Sequence, residues 1–572
     1  MKKAYFILVV FLLVAILAIP RFVGLDKFIS LDEPFWVRNG ANFYYALGQR
    51  QFENTIYNYH PAITTLWVGA VGMLAYFPKY RALQEGYLTK NQFDEFLIQH
   101  GKSELGLFLY SRSVQVILIV LLLLTIFFLL RYLLGNQTAF FTTAFVSLSP
   151  FFLGNSRLLN HVAMMGLFVL VSLFSMIIYL FKKENLFLLL FSAIAGALAQ
   201  LTLTTGFLLF PIIGLVLISH LIESREVFSW KRISEILRTL CIWTVVLIAA
   251  YFLFWPGMWV DPEKMLSQVY GHTLYFGLGV SNIFTPGRMT LSHFSLSSAS
   301  EILSTAETFV LQMLWHSTPL TWIGFIVGIS FIFIQQKKPT EHLYKWTILY
   351  SVVMAILYIL LFSVAGGKDS AHYILASYLG VDIVAGLGLS TLLEKLSEKW
   401  FAKNQSVMMI GGILALVMIQ IVFIIGYYPY YYTYLNPLMK IAPAAAKAPI
   451  YEDPSYGEGL ELSAAYLSQK PEADIMTVMS YGGYGCFSFF FPGKTLVIND
   501  VSTVNPNPAV IKYLQASSYA VLDHRYQEAF NDLAGFEGLT PEKIIWLNGI
   551  EYFDIYRAAD LLERINVNLS NK

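Results

Sequence analysis

A polytopic membrane helix bundle of about 11 spans, mainly α, with a small extracytoplasmic α/β domain at its C-terminal end, is the fold class that this sequence predicts. Three observations point there. The 572 residues are 56% hydrophobic and only 13% charged, roughly half the charge of an average soluble domain. Apolar runs close to the ~20 residues that cross a bilayer recur along most of the chain. Aromatic residues are abundant, with 35 Tyr, 45 Phe and 11 Trp, as expected where many helices cross two lipid–water interfaces. The net charge of +1 leaves no electrostatic footprint for nucleic acid, so the bilayer is the expected large partner. Cys241 and Cys486 lie in different regions, and Cys241 opens an apolar run. Neither a disulfide nor a cysteine metal site is expected from them.

The first element follows Lys2 and Lys3 and ends in Ile19-Pro20-Arg21. That ending is not a small-x-small cleavage site, so residues 4–23 read as a retained span. Further spans centre on 111–134, 138–154, 161–181, 186–203, 205–221, 239–256, 310–334, 345–364, 373–393 and 407–428. The connections alternate in character. One set carries Lys2 and Lys3, Arg131, Lys182 and Lys183, the basic residues between Arg225 and Arg238, those between Lys337 and Lys345, and Lys395, Lys399 and Lys403. The other set, 24–110, 257–309, 365–372 and everything after 428, is mostly long, aromatic and rich in Pro and Gly. Positive-inside reasoning puts the first set in the cytoplasm, with the N-terminus, and the second outside a cell membrane. Residues 62–77 are apolar but short, and a span there would move every later Lys cluster outside. An interfacial or re-entrant helix is expected instead.

Two domains follow: 1–428, a transmembrane domain, and 429–572, an extracytoplasmic α/β domain. In the latter, Gly457–Lys470 and Pro508–Gln515 read as helices, and Ile475–Met479, Thr495–Asn499 and Tyr519–Asp523 as strands. Ile544–Tyr556 reads as a closing hairpin.

Chemistry-bearing residues gather in the external segments. Ser30-Leu31-Asp32-Glu33 opens a stretch with Trp36, Gly40, Phe43 and Leu47 at helical spacing. Ser30-x-x-Glu33 fits a capping box, and acids suit a first helical turn. A catalytic carboxylate is the other reading, and both hold if Glu33 caps while Asp32 projects into a cleft. His60-Pro61 precedes the short apolar helix; alone it is an ordinary turn. Asn155-Ser156-Arg157 through Asn160-His161 lies between two spans. An arginine at that depth either snorkels to the interface or meets an anion. Gly366-Gly367-Lys368-Asp369-Ser370-Ala371-His372-Tyr373 is a polar turn whose backbone N–H groups and Lys368 suit a phosphate, though it is not a Walker motif. Asp382 falls within the next span, where carboxylates are paired or functional. His272, His293 and His316 show no metal-ligand spacing, so no cofactor is expected, with a divalent metal left open.

Taken in order, these segments resemble a GT-C type membrane glycosyltransferase, similar to the protein O-mannosyltransferase and aminoarabinose-transferase group of family 39. The resemblance rests on Asp32-Glu33, His60-Pro61, Ser156-Arg157, Lys368 through Tyr373, and the aromatic stretch Tyr428 to Pro437. It implies a polyprenyl-phosphate sugar as donor, entering from the bilayer, and a protein, lipid or glycan acceptor from the outer face. It further implies transfer with inversion, Asp32 as base with Glu33 as runner-up. Arg38, Arg157 and Lys368 would bind phosphate, and His60, His372 and Tyr373 would position phosphate or sugar. Two departures stand out. Val162 occupies a place where members often have an acid, and His372 stands where they often carry Arg before Tyr373. A membrane transporter, which would favour inverted repeats and broken helices, and a catalytically lapsed glycan-binding scaffold are the alternative functions.

Overall fold

The computed structural model describes residues 2–58, 60–84, 86–182, 185–223, 230–271, 273, 298–333, 339–365, 370–439, 456–498, 506–524, 536 and 538–570. The chain forms two compact units. One comprises Met1–Val23, Asn39–Tyr87 and Ser111–Leu438; the other comprises Gly24–Arg38, Leu88–Tyr110 and Met439–Lys572.

Apolar helices build the first unit. Among the described residues, seven are long and apolar enough to cross a membrane: Glu104–Leu134, His161–Phe181, Thr204–Glu223, Trp230–Phe254, His342–Ala365, Ala371–Trp400 and Ala402–Ile425. Shorter apolar helices cover Phe6–Phe22, Ile63–Tyr76, Leu186–Thr202 and Pro319–Ile332. Two expected spans are interrupted. The run 138–154 divides into Asn136–Ser147 and Pro150–Asn155, because Pro150 has no N–H to continue a helix and is preorganised to begin one. The run 310–334 breaks between Ala299–His316 and Pro319–Ile332. There the Thr318 hydroxyl accepts from the Thr321 N–H and Pro319 takes the first helical position. Residues 62–77 form the helix Ile63–Tyr76, about 21 Å long and short of a hydrocarbon core. Most of that helix is buried in protein. A Cβ on Gly40 would stand 2.8 Å from the Gly69 Cα, so Ile63–Tyr76 and Glu33–Gln49 cross backbone to backbone.

Ala371–Trp400 is the central element, with 94% of its most apolar stretch buried. Glycine lets Pro319–Ile332 approach it: a Cβ on Gly324 would lie 2.5 Å from the Ala385 carbonyl oxygen, and one on Gly328 2.6 Å from that of Val384. Lipid tails are as apolar as leucine, so such helices associate by close packing and interhelical hydrogen bonds. Ser172 and Ser192 supply the latter, each hydroxyl donating to the other's carbonyl at 2.8 Å, while Trp243 Nε1 donates to Ser192 Oγ at 3.0 Å.

The second unit holds a five-stranded sheet: β1 (Thr477–Tyr481), β2 (Lys494–Ile498), β3 (Tyr519–Asp523), β4 (Lys543–Leu547) and β5 (Ile550–Arg557). Its order is β2-β1-β3-β5-β4. Strand β1 is parallel to β2 and β3, and β5 is antiparallel to β3 and β4. Pro508–Gln515 is a helix capped by the Asn507 side chain. The helix expected over Gly457–Lys470 spans only Leu460–Leu467, because Gly457 and Gly459 sit at φ +107° and +93°. The β4–β5 hairpin turns at Asn548-Gly549, both with positive φ, as a two-residue loop of matching twist demands. A closing helix, Ala558–Ser570, was not expected. Its Leu561 and Ile565 join Val510, Leu514, Leu522 and Tyr556 in the core on one side of the sheet.

Candidate functional site

Asp32 and Glu33 divide the two roles that the sequence left open. Glu33 is fully buried, and its Oε2 accepts from the Ser30 N–H at 2.8 Å and the Ser30 hydroxyl at 2.9 Å. It closes the start of the helix Glu33–Gln49, with the carboxylate at the positive end of the macrodipole. Asp32 precedes the helix, exposed, and its Oδ2 accepts from the Tyr456 hydroxyl at 2.5 Å. Leu31 N–H also donates to the Tyr456 carbonyl at 3.0 Å. Gly457 allows this approach: a Cβ there would stand 2.6 Å from the Ile29 carbonyl oxygen. Arg38, about one and a half turns into the same helix, is half-buried, with its guanidinium 5.7 Å from the Phe35 ring centroid. Asp32, Glu33 and Arg38 all belong to the second unit.

The first unit gathers a different set. Arg157 is buried and spans three carbonyls: Nη1 donates to Pro429 at 2.9 Å, Nε to Arg21 at 3.3 Å, and Nη2 to Val23. Its guanidinium lies 5.2 Å from the Tyr431 ring centroid. Beside it stands Arg21, 0% exposed. Arg21 Nε donates to Ser156 Oγ at 2.9 Å, Nη1 to Ser147 Oγ at 2.7 Å and to the Leu17 carbonyl at 2.9 Å, and Nη2 to the Ser147 carbonyl at 3.1 Å. Two guanidinium groups are thus held in a buried place by neutral oxygens. Burying like charges is costly unless an anion is drawn in, and a planar fork is suited to phosphate.

His60 is brought next to His161, ring centroids 5.5 Å apart. Asn160 caps the helix that His161 begins, accepting from the Val162 N–H at 2.7 Å. His372 meets Ser370 Oγ through Nδ1 at 3.0 Å and packs on Tyr373 at 4.2 Å; Tyr373 in turn stacks on Phe362 at 5.4 Å. Lys368, like His272 and His293, lies outside the described residues. Asp382, 1% exposed, has the hydroxyls of Ser149 and Thr321 beside it, which supplies the neighbours that its sequence position could not. His316 Nδ1 meets the Tyr434 carbonyl at 3.0 Å. Among the described residues no three His, Cys, Asp or Glu cluster as metal ligands.

Sequence reasoning missed Arg21, Tyr456 and the His60–His161 pairing. Arg21 carried a signal, since an arginine closing an apolar run either snorkels or is buried with partners. Tyr456 carried none, because 424 positions separate it from Asp32.

No protein-family model and no curated protein matches the chain. Among solved structures it is similar to ArnT from Cupriavidus metallidurans bound to undecaprenyl phosphate, at 14% identity over 97% of this chain and 98% of that one, TM-score 0.48. It is also similar to the Archaeoglobus fulgidus oligosaccharyltransferase in its apo form, at 13% identity over 90% of this chain and 68% of that one, TM-score 0.45. The archaeal oligosaccharyltransferase AglB from the same organism, in complex with an inhibitory peptide and a dolichol-phosphate, gives 14% identity over 91% and 70%, TM-score 0.45.

Proposed function

We propose that this protein is an integral-membrane glycosyltransferase that moves a sugar from a polyprenyl-phosphate donor to an acceptor at the outer face of the membrane. Asp32 is the base that takes the acceptor's proton, and the transferred sugar inverts at its anomeric carbon. The leaving phosphate is held by buried cations, Arg21 and Arg157 first, with Lys368 and the His60 and His372 segments contributing. The N-terminus is cytoplasmic and the sheet-bearing C-terminal region extracytoplasmic. The observation that carries the reading is the division of labour at the first external helix. Glu33 supplies the cap and is buried; Asp32 stays exposed, held by one phenol. A base needs an accessible carboxylate within reach of the proton it takes, and the exposure of Asp32 supports that role.

The test is transfer in vitro from a panel of polyprenyl-phosphate sugars, with products identified by mass, on wild type and Asp32→Asn. The wild type transfers and Asp32→Asn does not, although it inserts and folds. Wild-type transfer rates in Asp32→Asn overturn the assignment of the base.

A further inference from the structure

Within the second unit a cavity of about 200 Å³ opens beside the start of the helix Glu33–Gln49. Its wall carries two cations, Arg38 and Lys90, two carboxyl groups, Asp94 and Glu104, and aromatic rings that include Phe35 and Tyr484. Lys90 Nζ lies 3.4 Å from the Tyr484 ring centroid. Asp94 Oδ2 and Glu104 Oε2 are buried, and the two carboxyl groups hydrogen-bond to each other through one shared proton. One shared proton leaves the pair with further acceptor lone pairs on the cavity wall, and these favour a ligand that donates.

The chemistry of that ligand follows by elimination. A phosphate or carboxylate suits Arg38 and Lys90 but offers no donor to the Asp94–Glu104 pair, whose remaining charge repels it. An ammonium group has the reverse difficulty. A hydroxyl satisfies both sets, donating to a carboxyl oxygen while accepting from a guanidinium or ammonium N–H. Several hydroxyls on a ring with an apolar face also suit the aromatic walls, since a recognition site pairs mostly apolar lining with a few converging polar groups. At about 200 Å³ the space is below the about 300–1,000 Å³ of sites for drug-sized ligands, which fits one ring and not an oligosaccharide.

We infer that this cavity is a binding subsite for a single sugar ring, part of a glycan acceptor. The acceptor role rests on the transferase reading; sugar binding does not. Asp32 sits next to Leu31 on the same segment, but Leu31 lines the cavity and Asp32 does not. Binding in the subsite and proton removal are therefore separable.

The experiment is saturation-transfer difference NMR on the full-length protein in nanodiscs. The probes are a panel of methyl glycosides: glucoside, galactoside, N-acetylglucosaminide and glucuronide. At least one gives a signal with wild type. That signal falls at least fivefold in Tyr484→Ala and in the near-isosteric Glu104→Gln, and persists in Asp32→Asn. Thermal melting of each variant establishes that it is folded. No signal from any glycoside with wild type, or a signal that ignores both cavity variants, overturns the subsite. Transfer kinetics separate the two readings. Tyr484→Ala raises KM for a glycan acceptor and leaves kcat near wild type; an unchanged KM alongside lost glycoside binding overturns the acceptor role. Glycoside binding that follows this pattern in a protein transferring from no donor refutes the transferase reading and leaves the sugar site standing.

Discussion

Glu33→Ala and Asp32→Asn, compared side by side, separate two jobs performed by neighbouring carboxylates. In Glu33→Ala the Ser30 N–H and hydroxyl lose their shared acceptor at 2.8 and 2.9 Å in a place where Ser30 is 1% exposed. The hydroxyl can turn to another acceptor, but the N–H cannot. An unsatisfied buried donor costs about 1–3 kcal/mol and loss of a cap about 1 kcal/mol. Taking about 2–3 kcal/mol together, the melting temperature falls by roughly 4–12 °C for a unit of this size. Asp32→Asn keeps an amide oxygen to accept from Tyr456, and the residue is exposed. Its stability stays within about 0.5 kcal/mol of wild type. Activity splits the other way. Loss of a general base costs about 10²- to 10⁴-fold in rate, whereas Glu33→Ala, assayed below its melting temperature, loses activity only in proportion to its folded fraction. Melting by tryptophan fluorescence together with initial transfer rates provides both readings. If the two variants melt together, or if Glu33→Ala is the inactive one and stable, the division of roles is wrong.

Other consequences are as direct. Glu542 accepts from Tyr466 at 2.9 Å, Tyr519 at 3.2 Å, Arg557 Nε at 3.1 Å and Lys470, and the Lys470 ammonium above all holds its carboxyl down at about 2. A depressed carboxyl stabilises the fold above its unfolded value of about 4.3 and loses that contribution as pH falls toward the folded value. Glu542→Gln therefore melts lower than wild type at pH 6, and the gap narrows as pH drops to 3; parallel melting curves across that range refute the linkage. Gly324→Leu forces the helices Pro319–Ile332 and Ala371–Trp400 apart, since its Cβ alone already meets the Ala385 carbonyl oxygen at 2.5 Å. Overpacking of this kind costs about 1–3 kcal/mol, read as lost folded yield in detergent, and near-normal yield contradicts that packing. Arg21→Met removes one of two adjacent buried positive charges and weakens polyprenyl-phosphate binding at least tenfold, about 1.4 kcal/mol; unchanged affinity places the phosphate elsewhere.

Much of the architecture is legible in the residues. Spans follow from hydropathy because lipid leaves a helix no alternative, and the β4–β5 hairpin is written in Asn548-Gly549. Local signals also reached Pro508–Gln515, where an Asn cap precedes a proline. Interruptions were harder. Hydropathy reads straight through Pro150 and Pro319, and only the absence of a proline N–H shows where the helices part. The helix Ala558–Ser570 was missed, although Ala558, Leu561 and Ile565 stand at helical spacing. At the candidate site, Ser30-x-x-Glu33 identified the cap, since a capping box is a local motif. Tyr456 on Asp32, His161 beside His60, and Asp94 with Glu104 beside Arg38 are tertiary meetings, and no spacing along the chain encodes them.

The transfer assay tests the central claim most directly. Purified protein is incubated with polyprenyl-phosphate sugars of several kinds and a glycan, lipid or peptide acceptor, and products are read by mass. The account predicts a glycosylated acceptor and released polyprenyl phosphate with wild type, and neither with Asp32→Asn. Equal product from both would contradict it.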